Sequence, residues 1–295
     1  MDHRHVRWLE RDWMKVHRRL YRALATVLGA SSIIAVGLVG CAGGSGAGAA
    51  ADEGGGEEEG STLTVLAASS LTNAFGELEK TFEERNSGTD VRQSFESSST
   101  LLTQIQHGAQ ADVFASAAEE EMNTAVEDGL VVGNPDIFVR NREVVMVPKD
   151  NPAHIESIRD LARPGVKLVL AEDGVPAADY ALEILGKADA EYGSGFKRDV
   201  LSNVVSREAD VRASVSRVAL GDADVTFGYA SDYTPDISDQ VEVIQIPEDM
   251  NITATYPIAV LQDARSPRLA RKWVDLVMSD EGQRVLEKWG FEPAA

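Results

Sequence analysis

The stretch AASSLTNAF, residues 67–75, sets two adjacent serines where an apolar run at 63–68 gives way to a helical pattern. The same transition recurs in FESSST at 95–100, where Ser97, Ser98 and Ser99 precede an amphipathic stretch. GVPAADY at 174–180 places Pro176 where a helix can begin, since the first position needs no N–H, and leaves the N–H groups of Ala177 and Ala178 in the first turn. EADVRASV at 208–215 opens another helix with Asp210 as its cap, and FGYASDY at 227–233 ends a strand on the phenol of Tyr229. Capping, in which a hydroxyl accepts from a first-turn N–H, accounts for one serine of each group. What is left is a set of neutral donors, the chemistry of holding an anion rather than of making or breaking a bond.

Bond-making chemistry has little to work with. Cys41 is the single cysteine, which removes disulfides and thiolate metal sites. Of the histidines, His3, His5 and His17 sit in the N-terminal segment, leaving His107 and His154. A serine hydrolase using Ser70 or Ser98 needs a base within hydrogen-bond reach. His107 would stand ~12 Å or more from Ser98 along a helix, and no G-x-S-x-G elbow occurs. A ferric-ion site is a second alternative, since it calls for tyrosines and carboxylates and Tyr229 with Tyr233 offers a pair.

The elements that must position these residues alternate in type. LTVLAA precedes a helix stripe of Leu71, Ala74, Phe75, Leu78 and Phe82; DVRQSF precedes Leu101, Leu102 and Ile105; ADVFASA precedes EEEMNTAVEDGL. Repeated strand-then-helix order predicts an α/β fold with largely parallel sheets, whose ligands sit outside the carboxyl ends of the strands. REVVMVPKDNP, at 142–152, interrupts the rhythm, and a second series follows through VKLVLAED, AADYALEILGKA, DVRASVSRVALG and ADVTFGY to the apolar strand YPIAVL. This predicts two lobes, 62–145 with 256–295 and 146–255, and two crossings, near 144–147 and 254–257.

The N-terminus is expected to be processed. A basic segment, an apolar run at 23–39 and LVGC ending at Cys41 form a secretory signal, and LVGC resembles the bacterial lipobox. The apolar run is shorter than the ~20 residues of a membrane span. Residues 1–40 are thus read as a lipoprotein signal, Cys41 as the lipidated first residue, and the Gly-, Ala- and acid-rich residues 41–61 as a flexible tether. The chain carries a formal net charge of −20 at pH 7. Such acidity excludes nucleic acid as a partner and leaves any anion to be captured by local dipoles.

Taken together, TVLAASSLTNAF, SFESSSTLLTQIQHGAQADVFASA, VPAADYALEIL, DVRASV, FGYASD, YPIAVL and EKWGF resemble, in order and spacing, the periplasmic molybdate-binding proteins that feed ABC transporters. The resemblance implies a two-lobed periplasmic-binding-protein fold of type II, each lobe a mainly parallel sheet flanked by helices and joined by two hinge strands. It implies an extracytoplasmic protein that binds molybdate or tungstate, uses no cofactor and delivers its ligand to a membrane permease; with the lipobox, a monomer anchored to the membrane through Cys41 is expected. Carried across by position, Ser70 and Ser98 would each give a hydroxyl and an N–H, Ala177 and Val211 an N–H, and Tyr229 its phenol. No direct protein–metal ligand is implied. A fully deprotonated tetrahedral dianion accepts hydrogen bonds only, so neutral donors suit it, whereas protonated phosphate would need an acceptor as well. Sulfate or thiosulfate is the nearest alternative ligand. Three departures from the family pattern stand out: Glu96, Ala178 and Gln110. Glu96, one residue before Ser97 on a strand, is expected to alternate away from the binding serines.

Overall fold

The computed structural model describes residues 61–294. The signal, Cys41 and all but the last residue of the tether lie outside the described residues.

The first sheet is built on β1 (Thr62–Ala68), which pairs in parallel with β2 (Asp90–Glu96) on one side and β3 (Val113–Ala115) on the other. The last four residues of β1 are all buried, as expected of a strand covered on both faces. α1 (Thr72–Arg85) turns Ala74, Phe75, Leu78 and Phe82 inward at helical spacing. Trp273, on α7 (Pro267–Met278), closes this core by meeting Phe75 and Phe82 edge-on at 5.5 and 5.4 Å. α2 (Ser98–Gln106) and α3 (Glu119–Glu127) enclose a smaller apolar cluster around Leu101, Phe114 and Met122.

β4 (Asp136–Pro148) is long enough to belong to two sheets: residues 136–142 pair antiparallel with β9 (Thr253–Val260), and residues 143–148 pair antiparallel with β7 (Val225–Tyr229) and β8 (Val241–Gln245). Among the described strands, β9 pairs with β3 and β4. A two-residue β10 (Glu292–Pro293) adds to β4. In the second sheet β5 (Leu168–Ala171) lies between β6 (Val204–Glu208) and β7, all parallel. α4 (Pro176–Tyr192) and α5 (Phe196–Leu201) bury Ile184, Leu185, Ala188 and Phe196 against Val225 and Phe227. α6 (Val211–Ala219) and α8 (Asp280–Lys288) complete the helices of the described residues. Each sheet thus has a three-stranded parallel core, and the antiparallel pairs all involve β4 or β9. No described helix is long and apolar enough to cross a membrane.

Candidate anion-binding site

The first sheet supplies two serines from the carboxyl ends of neighbouring strands. β1 runs directly into a 3-10 turn, Ser69–Leu71, pinned by Thr72 Oγ1 donating to the Ser69 carbonyl at 2.6 Å. Neither serine caps α1, whose N-cap position is Leu71 with no side-chain bond. The expectation that capping explains one of the pair therefore fails: the tight turn occupies the place a capping residue would take. Ser70 Oγ instead lies 2.9 Å from the Tyr256 hydroxyl. After β2, Ser97 is the cap of α2, accepting from the Thr100 N–H at 3.2 Å. Ser98 Oγ accepts from the Ala117 N–H at 2.9 Å. A hydroxyl that accepts from behind keeps its own proton for a partner in front.

The second sheet supplies N–H groups and a phenol. Pro176 opens α4, and the N–H groups of Ala178 and Asp179 turn back to the Val175 carbonyl at 2.8 and 3.1 Å. No such turn takes the Ala177 N–H among the described residues. Asp210 caps α6 by accepting from the Ala213 N–H at 3.0 Å, which leaves Val211 as the first helical residue. Tyr229 ends β7 fully buried, and its phenolic oxygen has no hydrogen-bond partner among the described residues.

All five sequence-predicted residues, Ser70, Ser98, Ala177, Val211 and Tyr229, line one cleft. Each stands where a strand ends or a helix begins, so the positive ends of α2, α4 and α6 converge there. No lysine or arginine is on the lining, but Glu96 is. The expected alternation of Glu96 away from the serines does not hold, because Glu96 is the last residue of β2 and the backbone turns at Ser97 into α2. Its Oε1 accepts from Gln104 Nε2 at 3.3 Å. Ser69 and Ser97 line the cleft as well.

Two carboxyls lie behind Tyr229. Glu143, opposite Tyr229 in the β4–β7 register, is fully buried with neither carboxyl oxygen hydrogen-bonded among the described residues. Burial first, and then the neighbouring Asp232, hold its pKa well above the usual carboxylate range, which favours its uncharged form. Asp232 accepts from the Tyr229 N–H at 3.0 Å, and burial pushes its pKa up to about 6 against the pull of Arg212. Glu143 is legible in the sequence as the carboxyl that heads the apolar run VVMV; nothing local marks Asp232 as buried.

Neither alternative chemistry is assembled. His107 holds its Nδ1 at 2.7 Å from the Thr103 carbonyl on the exposed side of α2. Tyr233 is exposed while Tyr229 is buried, and the described residues contain no group of three or more His, Cys, Asp or Glu side chains placed to hold a metal ion. The terminal Gly-Phe has a structural part. Gly290, at φ +85°, comes so close to the loop after Tyr229 that an added Cβ would meet Ser231 Cα at 3.2 Å, and Phe291 packs edge-on against Tyr256 at 5.4 Å.

Residues 63–292 match the family model for bacterial extracellular solute-binding proteins. The chain is 34% identical over 261 residues to the molybdate-binding protein ModA of Mycobacterium tuberculosis, covering 88% of this chain and 95% of that one. Among solved structures, the periplasmic molybdate-binding protein of Azotobacter vinelandii superposes with a TM-score of 0.69 at 17% identity, over 79% of this chain and all of that one. The sulfate-binding protein SubI of M. tuberculosis superposes with a TM-score of 0.70 at 19% identity, over 79% and 87% of the two chains. At those identities the structures establish the fold, that of type II periplasmic binding proteins. These relatives are solute-binding proteins rather than enzymes, which removes the hydrolase reading. With its fold, its cleft of donors at strand ends and its sequence in agreement, the chain belongs to the bacterial extracellular solute-binding proteins, in the branch that contains the ModA proteins.

Proposed function

We propose that this protein captures molybdate or tungstate and hands it to the membrane permease of an ABC transporter. The observation that carries the reading is the Tyr229 phenol. It is a buried donor without an acceptor among the described residues, set among two serine hydroxyls and two helix-start N–H groups, with no cationic side chain on the lining. A dianion without protons satisfies every donor. A protonated phosphate would leave its own hydrogen unmatched, at a cost of ~1–3 kcal/mol. The identity with ModA supports the same ligand.

The ligand would sit between two lobes, 62–145 with 256–295 and 146–255. Ser70 and Ser98 come from the first, and Ala177, Val211 and Tyr229 from the second, so one anion engages both and favours rotation of one lobe onto the other about the hinge strands. The LVGC motif supports lipidation at Cys41, and the tether that follows it would hold the folded part at the outer face of the membrane. Cys41→Ser should release the protein or leave it uncleaved; a wild-type chain cut well after Cys41 and free in solution would contradict the anchor.

The function is tested by thermal unfolding with molybdate, tungstate, sulfate, phosphate and ferric ion in parallel. A ligand at 100 times its dissociation constant stabilises by ~2.7 kcal/mol. Molybdate and tungstate should raise the midpoint and phosphate and iron should not. A response to sulfate alone would assign the site to the sulfate alternative.

A further inference from the structure

Behind Ser70 lies a chain of polar groups that no lining residue explains. Tyr256, on β9, is fully buried, with its hydroxyl 2.9 Å from Ser70 Oγ and 3.4 Å from Asn141 Nδ2. Asn141, on β4, is equally buried, and its Nδ2 also donates to Ser231 Oγ at 2.7 Å. The Asn141 side chain is oriented by its other end, because Oδ1 accepts from the Arg142 N–H at 3.0 Å. The amide nitrogen therefore faces Tyr256, and an amide nitrogen only donates.

This fixes where the protons go. The Tyr256 oxygen accepts from Asn141. Its own proton has one acceptor within reach among the described residues, Ser70 Oγ. Were Ser70 the donor, the buried tyrosine proton would have no acceptor at all. So Tyr256 donates, Ser70 accepts, and the Ser70 proton is turned to the cleft. Ser98 reaches the same state by accepting the Ala117 N–H, so the two serines are prepared alike, one by the backbone and one by a phenol.

We infer that Tyr256 is a positioning residue: held by Asn141, its phenol directs the Ser70 hydroxyl proton at the bound oxyanion. The inference rests on the molybdate reading of the cleft. Tyr256 does not line the cleft, so its effect must pass through Ser70. It also joins the cleft to β9, β4 and, through Ser231, the loop after Tyr229.

The test is a double-mutant cycle read by calorimetric titration of molybdate into the full chain, with the unfolding midpoint of each unliganded variant measured alongside. Tyr256→Phe should weaken binding about three- to tenfold. Ser70→Ala should weaken it at least as much, and the double variant no further than Ser70→Ala alone. Independent, multiplying losses would overturn the inference, as would unchanged affinity of Tyr256→Phe. Asn141→Ala is the second variant: it breaks the bonds to Tyr256 and Ser231 but leaves the Tyr256 proton with Ser70 as its acceptor, so affinity should stay closer to wild type than in Tyr256→Phe. A larger loss in Asn141→Ala would mean that the chain merely braces the hinge, and would overturn the inference too. Failure of the wild-type chain to bind molybdate would instead overturn the functional reading on which this one rests.

Discussion

Tyr229→Phe separates binding from folding because its two effects have opposite signs. The ring is buried and sits edge-on to Tyr256 at 6.0 Å, a contact that phenylalanine keeps. The hydroxyl has no hydrogen-bond partner among the described residues, and a buried unsatisfied donor costs ~1–3 kcal/mol. Removing it should leave the unliganded protein as stable as wild type or up to about 1 kcal/mol more so, since phenylalanine leaves no orphaned group. With the anion bound, that hydroxyl makes a hydrogen bond to a charged acceptor, a contribution of ~1.5–3 kcal/mol. Molybdate affinity should therefore fall by roughly ten- to more than a hundredfold. Calorimetric titration measures the second effect and urea unfolding without ligand the first. A variant that loses stability and affinity together would show the phenol to be a packing element, and one that binds normally would refute its role as a donor.

Glu96→Gln removes the one carboxylate on the cleft lining and should tighten molybdate binding by roughly two- to tenfold, more at low ionic strength, in titrations at two salt concentrations. Thermal stability should fall as pH rises from about 4.5 toward 7. In that window folded Asp232, raised from 3.8 to about 6, and Glu121, raised from 4.5 to about 7, mainly by burial, keep protons that the unfolded chain has given up. Asp232→Asn or Glu121→Gln should flatten the slope of the midpoint against pH; a rising midpoint in the wild type would contradict the burial argument. Ser97→Ala removes the cap of α2 and should cost ~1 kcal/mol in urea unfolding, whereas Ser99→Ala, whose hydroxyl lies 3.2 Å from that cap, should cost less.

The strand ends were legible because sequence marks them locally. An apolar run followed by serines, by proline or by an Asp cap identifies where a sheet stops and a helix starts, and in an α/β fold that is where ligands sit. What escaped was decided at the turn or across the chain. One of Ser69 and Ser70 read as a helix cap, but a 3-10 turn displaced the cap to Leu71. Period-two reasoning about Glu96 failed because alternation ends with the strand. The first half of β4, DIFVRN, carries Arg140 among apolar residues and so lacks the continuous run that made its second half conspicuous. Tyr256 meets Ser70 across 186 residues and Asn141 across 115. A hydrogen bond at that separation leaves no periodic trace in sequence.

The most direct measurement is a crystal structure of residues 61–295 grown with molybdate, the metal located by its anomalous scattering. The account predicts one oxyanion in the cleft, its oxygens within hydrogen-bond distance of Ser70 Oγ, Ser98 Oγ, the Tyr229 hydroxyl and the N–H groups of Ala177 and Val211, with no lysine or arginine in contact. An anion held elsewhere, or in the cleft by other groups while the Tyr229 hydroxyl stays unpartnered, would contradict it.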